Sequence, residues 1–385
     1  MPFSNTNHYD TLKLFFLTSD LGDDDAAGQL ALLACALPRN RFEVAVGALG
    51  ASKGTATDTL RAADVGISTL PVRNALDFSG MRRLRRAVRE SGATVLHAFG
   101  VDAVRIARLC LARRGEDNAP QLVATGAADS GGGIGGWLAA RQVRRADRVI
   151  ATGWAEAERY RRSGVNGNRL TRIAPAAVPP LTAPDHAQFC RDLGAPESAQ
   201  LIFAGGRLDA VHGAKDAVGA FDMIRYRSPA LQLVMTGDGP DRDATEGLGR
   251  ALAFDDFRIR FTGARPDLAT ATLLADQVWV TCVRGGEHLA LRAMAAGKPV
   301  VAYHTPELGE IIDDGVTGYL VPPGDRPALA TKAQMLLADP EAAARMGEAG
   351  LAIATERFSV ARLVEQHTRV YQELAEEGTA RALVS

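Results

Sequence analysis

The sequence predicts an α/β protein made of two doubly wound domains in series, each a parallel sheet with helices on both faces. Three observations carry this. Short apolar runs alternate with longer segments of helical periodicity along the 385 residues. A proline-rich stretch, Ile173–Pro184 (IAPAAVPPLTAP), interrupts the alternation near the middle of the chain. Beyond it the same rhythm restarts. Strands covered on both faces read as continuous apolar runs rather than as alternating ones, which favours parallel over antiparallel sheets.

Taken in order, Leu12–Thr18 (LKLFFLT) reads as the first buried strand and Ala26–Leu37 as the helix after it. Phe42–Leu49 (FEVAVGAL) is the next strand. The helix Met81–Ser91 precedes the strand Thr94–Phe99, and Leu122–Thr125 and Arg148–Thr152 continue the series. The four prolines of Ile173–Pro184, with no helical pattern, read as a linker between domains. The later strands are Leu201–Ala204, Leu231–Thr236, Arg258–Thr262, Gln277–Thr281 and Pro299–Tyr303. The expected organisation is a first domain over 1–180, a second over 181–360, and a helix and tail over 361–385 that packs back on the first.

Composition narrows the function classes. Hydrophobic residues at 46% and charged residues at 23% are ordinary for a globular protein. A net charge of −1 gives no bulk attraction to nucleic acid or to an anionic membrane. The five arginines of Met81–Arg89 (MRRLRRAVR) read as a solvated helix face, allowing at most peripheral membrane contact. Cys35, Cys110, Cys190 and Cys282 form no metal-spaced cluster and read as reduced thiols of a cytoplasmic protein. The apolar run near the N-terminus lacks the frame of a signal peptide, and no stretch has the length of a membrane span. The run Gly131–Gly136 (GGGIGG) satisfies a dinucleotide-binding spacing. The next strand, however, ends in Ala151–Thr152–Gly153–Trp154 with no acid at its tip, so a flexible loop is the better reading.

The second half holds a series of motifs in fixed order: IFAGGRLD (Ile202–Asp209), VMTGDGP (Val234–Pro240), RFTGARPD (Arg260–Asp267), LRAMAAGKPVVAY (Leu291–Tyr303) and ELGEIIDDGVTGYLVPPGD (Glu307–Asp325). A nucleotide diphosphate sugar needs cations and closely approaching backbone N–H groups for its phosphates. Glycine turns at the carboxyl ends of strands, followed by helix N-termini, supply both. Gly205, Gly206 and Arg207 stand at such a place. Over about residues 200–325 the series resembles the donor domain of the family 4 retaining glycosyltransferases, a family of GT-B fold in which two Rossmann-like domains face each other across a cleft.

The resemblance implies transfer of a sugar from a nucleotide diphosphate sugar to a glycan or lipid-linked acceptor, with retention and with no metal or other cofactor. On the donor side it implies Gly205, Gly206, Arg207, His212, Lys215, Arg284, Glu287, Arg292 and Glu310. Arg207 matches the phosphate-binding arginine, and Glu310 a donor-site carboxylate. On the acceptor side it implies Gly22, Asp23, His97, Gly131 and Gly133. The catalytic group itself is not assigned.

The chain also departs from the family pattern. Asp23, Asp24 and Asp25 follow Gly22 where a second glycine is usual, and they read as solvated or as capping the next helix. Ala128 falls about where a histidine is common, and Ala176–Ala177 replace an asparagine–glycine pair. His212 stands where a lysine is usual, with Lys215 nearby. Two glutamates separated by seven residues become Arg284 and Arg292, with Glu287 between them. These changes leave open a second class of function, a catalytically silent relative that binds a partner or a glycan. An epimerase or phosphorylase of the same fold is disfavoured by the order of the motifs.

Overall fold

The computed structural model describes residues 11–22, 25–72, 77–111, 119–126, 142–178, 180, 182–253, 258–263 and 267–384. Two units emerge, one of Met1–Ala174 with Val360–Ser385 and one of Pro175–Ser359.

In the first unit, β1 (Leu12–Thr18), β2 (Phe42–Ala48), β3 (Gly66–Thr69), β4 (Val95–Phe99), β5 (Gln121–Thr125), β6 (Arg148–Ala151) and β7 (Leu170–Arg172) form one sheet. Its order is β3-β2-β1-β4-β5-β6-β7, and the strands pair in parallel. The strand order reverses between β1 and β4, the switch point of a doubly wound sheet. Phe16 of β1 lies between Val46 of β2 and His97 of β4.

The long helix Val360–Val384 belongs to this unit although it ends the chain. Its Tyr371 and Leu374 are fully buried, and the Tyr371 ring packs against Phe16 and Phe42 at 6.3 and 6.0 Å between centroids. Arg148 of β6 pairs with Glu377 and Glu373 on its last turns.

In the second unit, β8 (Gln200–Gly205), β9 (Leu231–Thr236), β10 (Ile259–Gly263), β11 (Gln277–Val280), β12 (Val300–Tyr303) and β13 (Gly318–Val321) form a parallel sheet in the order β10-β9-β8-β11-β12-β13. Here the switch point lies between β8 and β11. Helix Ala214–Ile224 buries Ala217, Val218, Phe221 and Ile224, which share a core with Ile202, Leu233, Trp279 and Tyr303. The polar edges of that core are satisfied: the Trp279 indole N–H donates to Gln277 Oε1 at 3.0 Å, and Gln277 Nε2 donates to the carbonyl of Ala333 at 3.2 Å.

The two doubly wound α/β sheets match the expected fold class. Three strands, β3 (GIST), β7 (LTR) and β13 (GYLV), had no counterpart in the sequence reading. All three are outermost in their sheets, and an edge strand need not present a continuous apolar run. The division between the units falls inside the proline-rich segment, which is packed in part. Ala176 and Ala177 are buried, and the Ala177 N–H donates to the carbonyl of Phe358 at 2.7 Å.

Candidate functional site

The second unit gathers its glycine turns and cations at the carboxyl ends of β8 and β11, the two strands that flank the switch point. After β8 the backbone turns through Gly205 and Gly206, the latter at φ 108°. A Cβ on Gly237, in the turn after β9, would lie 2.0 Å from the carbonyl oxygen of Gly206. Two glycine turns thus close on each other, and no side chain fits between them. A Cβ on Gly213 would lie 2.3 Å from the carbonyl of Thr281, so the turn before helix Ala214–Ile224 is pressed against the loop after β11. Hydrogen bonds hold the two loops together. Thr281 Oγ1 donates to the carbonyl of His212 at 2.9 Å, and the Val283 N–H donates to the carbonyl of Val211 at 2.9 Å.

Asp209, not singled out in the sequence, organises Arg207 and His212 in the first loop. Its carboxylate accepts from the His212 ring at Nδ1 (2.7 Å) and from the backbone N–H groups of Val211 and His212 (both 3.0 Å). The Arg207 guanidinium lies 3.2 Å from its other oxygen. Desolvation pushes the Asp209 carboxyl up, but the bonds from His212 and Val211 outweigh it and hold it below the ordinary carboxylate range. Arg207 remains 67% exposed in its side chain despite the pair. Lys215, in the first turn of the following helix, lies 3.8 Å from Asp241. The sequence signal for Asp209 was its place in AGGRLD, two residues beyond the arginine.

The other donor-side candidates lie on neighbouring elements. Arg284 is exposed in the loop after β11. Glu287 opens helix Glu287–Ala295, and Arg292 is half-buried in that helix. Five residues apart, the two occupy different helix faces. Glu310 ends the short 3-10 turn Leu308–Glu310 after β12, half-buried, and its carbonyl accepts from Arg357 at 3.2 Å. The structure therefore brings Gly205, Gly206, Arg207, His212 and Lys215 to the β8 loop, with Arg284 on the loop bonded to it. Helices Ala214–Ile224 and Glu287–Ala295 both begin here after left-handed glycines, and neither has a side-chain N-cap hydrogen bond. Their first N–H groups and dipoles favour an anion.

On the first unit, Gly22 follows β1 at the switch point, and its N–H donates to Asp20 Oδ1 at 3.1 Å. Asp23, Gly131 and Gly133 lie outside the described residues. His97 requires a correction. Given above as an acceptor-side residue, it is the central residue of β4 and is fully buried. Its Nδ1 and Nε2 bond the Tyr371 hydroxyl and Thr125 Oγ1, both at 2.7 Å, one ring nitrogen donating and the other accepting. It stacks on Phe99 at 4.0 Å. Burial, and secondarily the neighbouring His367 ring, hold His97 well below the usual imidazole value. A neutral ring locked into the sheet does not reach a ligand. Among the described residues no three His, Cys, Asp or Glu side chains are grouped to hold a metal ion, and no helix is long and apolar enough to cross a membrane.

This architecture, with two doubly wound sheets and a loaded switch point in the second, is that of the GT-B class. Residues 199–339, a stretch within the second unit, match the model of the family Glycosyl transferases group 1. The chain is 27% identical over 249 residues to the alpha-D-kanosaminyltransferase of Streptomyces kanamyceticus, covering 63% of this chain and 64% of that protein. It is 29% identical over 191 residues to the N-acetyl-alpha-D-glucosaminyl L-malate synthase of Bacillus anthracis, covering 49% of this chain and 50% of that one. The matched stretch thus spans less than two thirds of either relative. In fold, the chain is similar to Anabaena Alr3699/HepE, solved in complex with UDP and glucose, at a TM-score of 0.80 and 20% identity over 94% of this chain and 99% of that one.

Proposed function

We propose that this protein is a glycosyltransferase that moves a sugar from a nucleotide diphosphate sugar to a glycan or lipid-linked acceptor, with retention. The observation that carries this is the β8 loop of the stretch that matches the glycosyl transferases group 1 model. Two glycines and Arg207, His212 and Lys215 stand there at the switch point, beside two helix N-termini. In this reading the side-chain-free turn at Gly205 and Gly206 lets the diphosphate come close to the backbone, and Arg207 and Lys215 hold its charge with His212 beside them. Glu310 accepts hydroxyls of the donor, and Arg284, Glu287 and Arg292 complete the donor side. The loops at the carboxyl end of the first sheet, with Gly22, Asp23, Gly131 and Gly133, take the acceptor. The cations stabilise the charge that develops on the departing diphosphate, which together with positioning is the main source of rate.

Isothermal titration with a panel of UDP-, GDP- and ADP-sugars, followed by a donor hydrolysis assay, tests this. One nucleotide class should bind and be hydrolysed slowly, and in Arg207→Ala hydrolysis should be lost and binding weakened about tenfold or more. Absence of binding and of hydrolysis across the panel would overturn the reading. Binding without turnover would assign the chain to the silent class.

A further inference from the structure

We infer that the sugar of the donor carries a carboxylate, so that the substrate is a nucleotide diphosphate uronic acid, and that Arg284 is the residue that selects it. The inference rests on the donor reading above and deepens it. Arg284 is placed by the fold rather than by chance on the surface. It stands in the loop after β11, and Arg207 in the loop after β8, the neighbouring strand across the switch point. The residue before it, Val283, is bonded to Val211 of the β8 loop, and Thr281 is bonded to His212. The two glycines after it, Gly285 and Gly286, have φ of 73° and 88° and turn the chain into helix Glu287–Ala295. The arginine thus stands between a segment bonded to the β8 loop and a tight glycine turn into the next helix.

Charge separates Arg284 from those cations. Arg207 has Asp209 at 3.2 Å, and Lys215 has Asp241 at 3.8 Å. Arg284 is exposed, with no ion pair or hydrogen bond to any described residue. A neutral hexose offers hydroxyls, which need an acceptor for their protons as well as a donor. A guanidinium has five donors and no acceptor, so it satisfies a sugar hydroxyl only by half. Its planar fork matches a carboxylate through two parallel charge-assisted bonds. A guanidinium with no ion pair among the described residues, on the loop bonded to the proposed diphosphate site, is therefore suited to a third anionic group on the same ligand, and the C6 carboxylate of a uronic acid is such a group.

The test compares uronate and hexose at fixed nucleotide on the full chain: UDP-glucuronate against UDP-glucose, UDP-galacturonate against UDP-galactose, and GDP-mannuronate against GDP-mannose, with UDP and GDP alone. In one pair the uronate should bind at least about tenfold more tightly than the hexose. In Arg284→Gln that preference should fall below about threefold, while affinity for the free nucleotide changes by less than about twofold. Arg284→Lys, which keeps the charge without the fork, should lie between the two. Equal or better binding of the neutral sugars, or a preference that survives in Arg284→Gln, overturns the inference. So does an equal loss of free-nucleotide affinity in that variant, because Arg284 would then serve the diphosphate. In each of these cases free nucleotide still binds the native chain, and the donor reading stands. Failure of UDP and GDP to bind overturns the inference, and failure of ADP as well overturns the donor reading.

Discussion

At the scale of single residues, stability and ligand contact separate cleanly around β8. Gly237 has no room for a side chain, because a Cβ would sit 2.0 Å from the Gly206 carbonyl and its φ is 95°. Gly237→Ala is expected to cost about 2–4 kcal/mol in denaturant unfolding and to abolish nucleotide binding, since the turn must move to admit the methyl. Arg207→Ala should do the opposite. Its side chain is 67% exposed and its partner Asp209 keeps three other hydrogen bonds. The variant should unfold within about 0.5 kcal/mol of the native chain while binding nucleotide about tenfold or more weakly by titration. The position of the arginine at the end of a strand was legible in AGGRLD, because the apolar run stops at its glycines. His97 was misread at this scale. A histidine in VLHAFG looks like a ligand at a strand end until the register shows it opposite Phe16 and beneath Tyr371.

At the scale of elements, the contact between β4 and helix Val360–Val384 makes the first unit acid-sensitive. His367 of that helix is buried, its Nδ1 donates to the carbonyl of Leu363 at 2.9 Å, and burial lowers it from 6.5 to about 4. His97 is lowered in the same direction. Below pH 6.5 the unfolded chain takes up protons on these rings while the folded chain does not. Their contribution to stability is therefore full above that pH and lost as the pH falls. For His367 the loss is complete near pH 4 and amounts to about 3 kcal/mol. The midpoint of thermal unfolding of the first unit should fall between pH 7 and pH 4.5, and His367→Gln should flatten that slope. No change in midpoint over this range would refute the account. The sequence displayed the two histidines and the tyrosine, 274 residues apart for His97 and Tyr371, with nothing local to join them.

For the whole molecule, the second unit is one continuous segment, whereas the first is closed by the end of the chain. Leu363, Val370, Tyr371 and Leu374 are buried by that closing helix. Deletion of residues 360–385 should therefore expose Phe16 and Phe42 in the first unit and lower or abolish its unfolding transition. The second unit should keep its own transition and its nucleotide affinity. Calorimetry with and without nucleotide measures both. A nucleotide at a hundred times its Kd should stabilise only the second unit, by about 2.7 kcal/mol.

The sequence by itself determined the two doubly wound sheets, because central strands buried on both faces must be written as apolar runs, and LKLFFLT, LIFA and LQLVMT are such runs. It also determined the glycine–arginine turn after β8, where backbone approach and charge are local properties. Tertiary structure alone decided the rest. The edge strands β3, β7 and β13 exist because a neighbour's open backbone groups recruit them, not because their residues are strongly apolar. Asp209 became the organiser of Arg207 and His212, His97 became core, and Arg284 was set across the switch point from Arg207, through hydrogen bonds and packing between segments distant in the chain. Such contacts have no local sequence signature, because their free energy arises only when the sheet has brought the partners together.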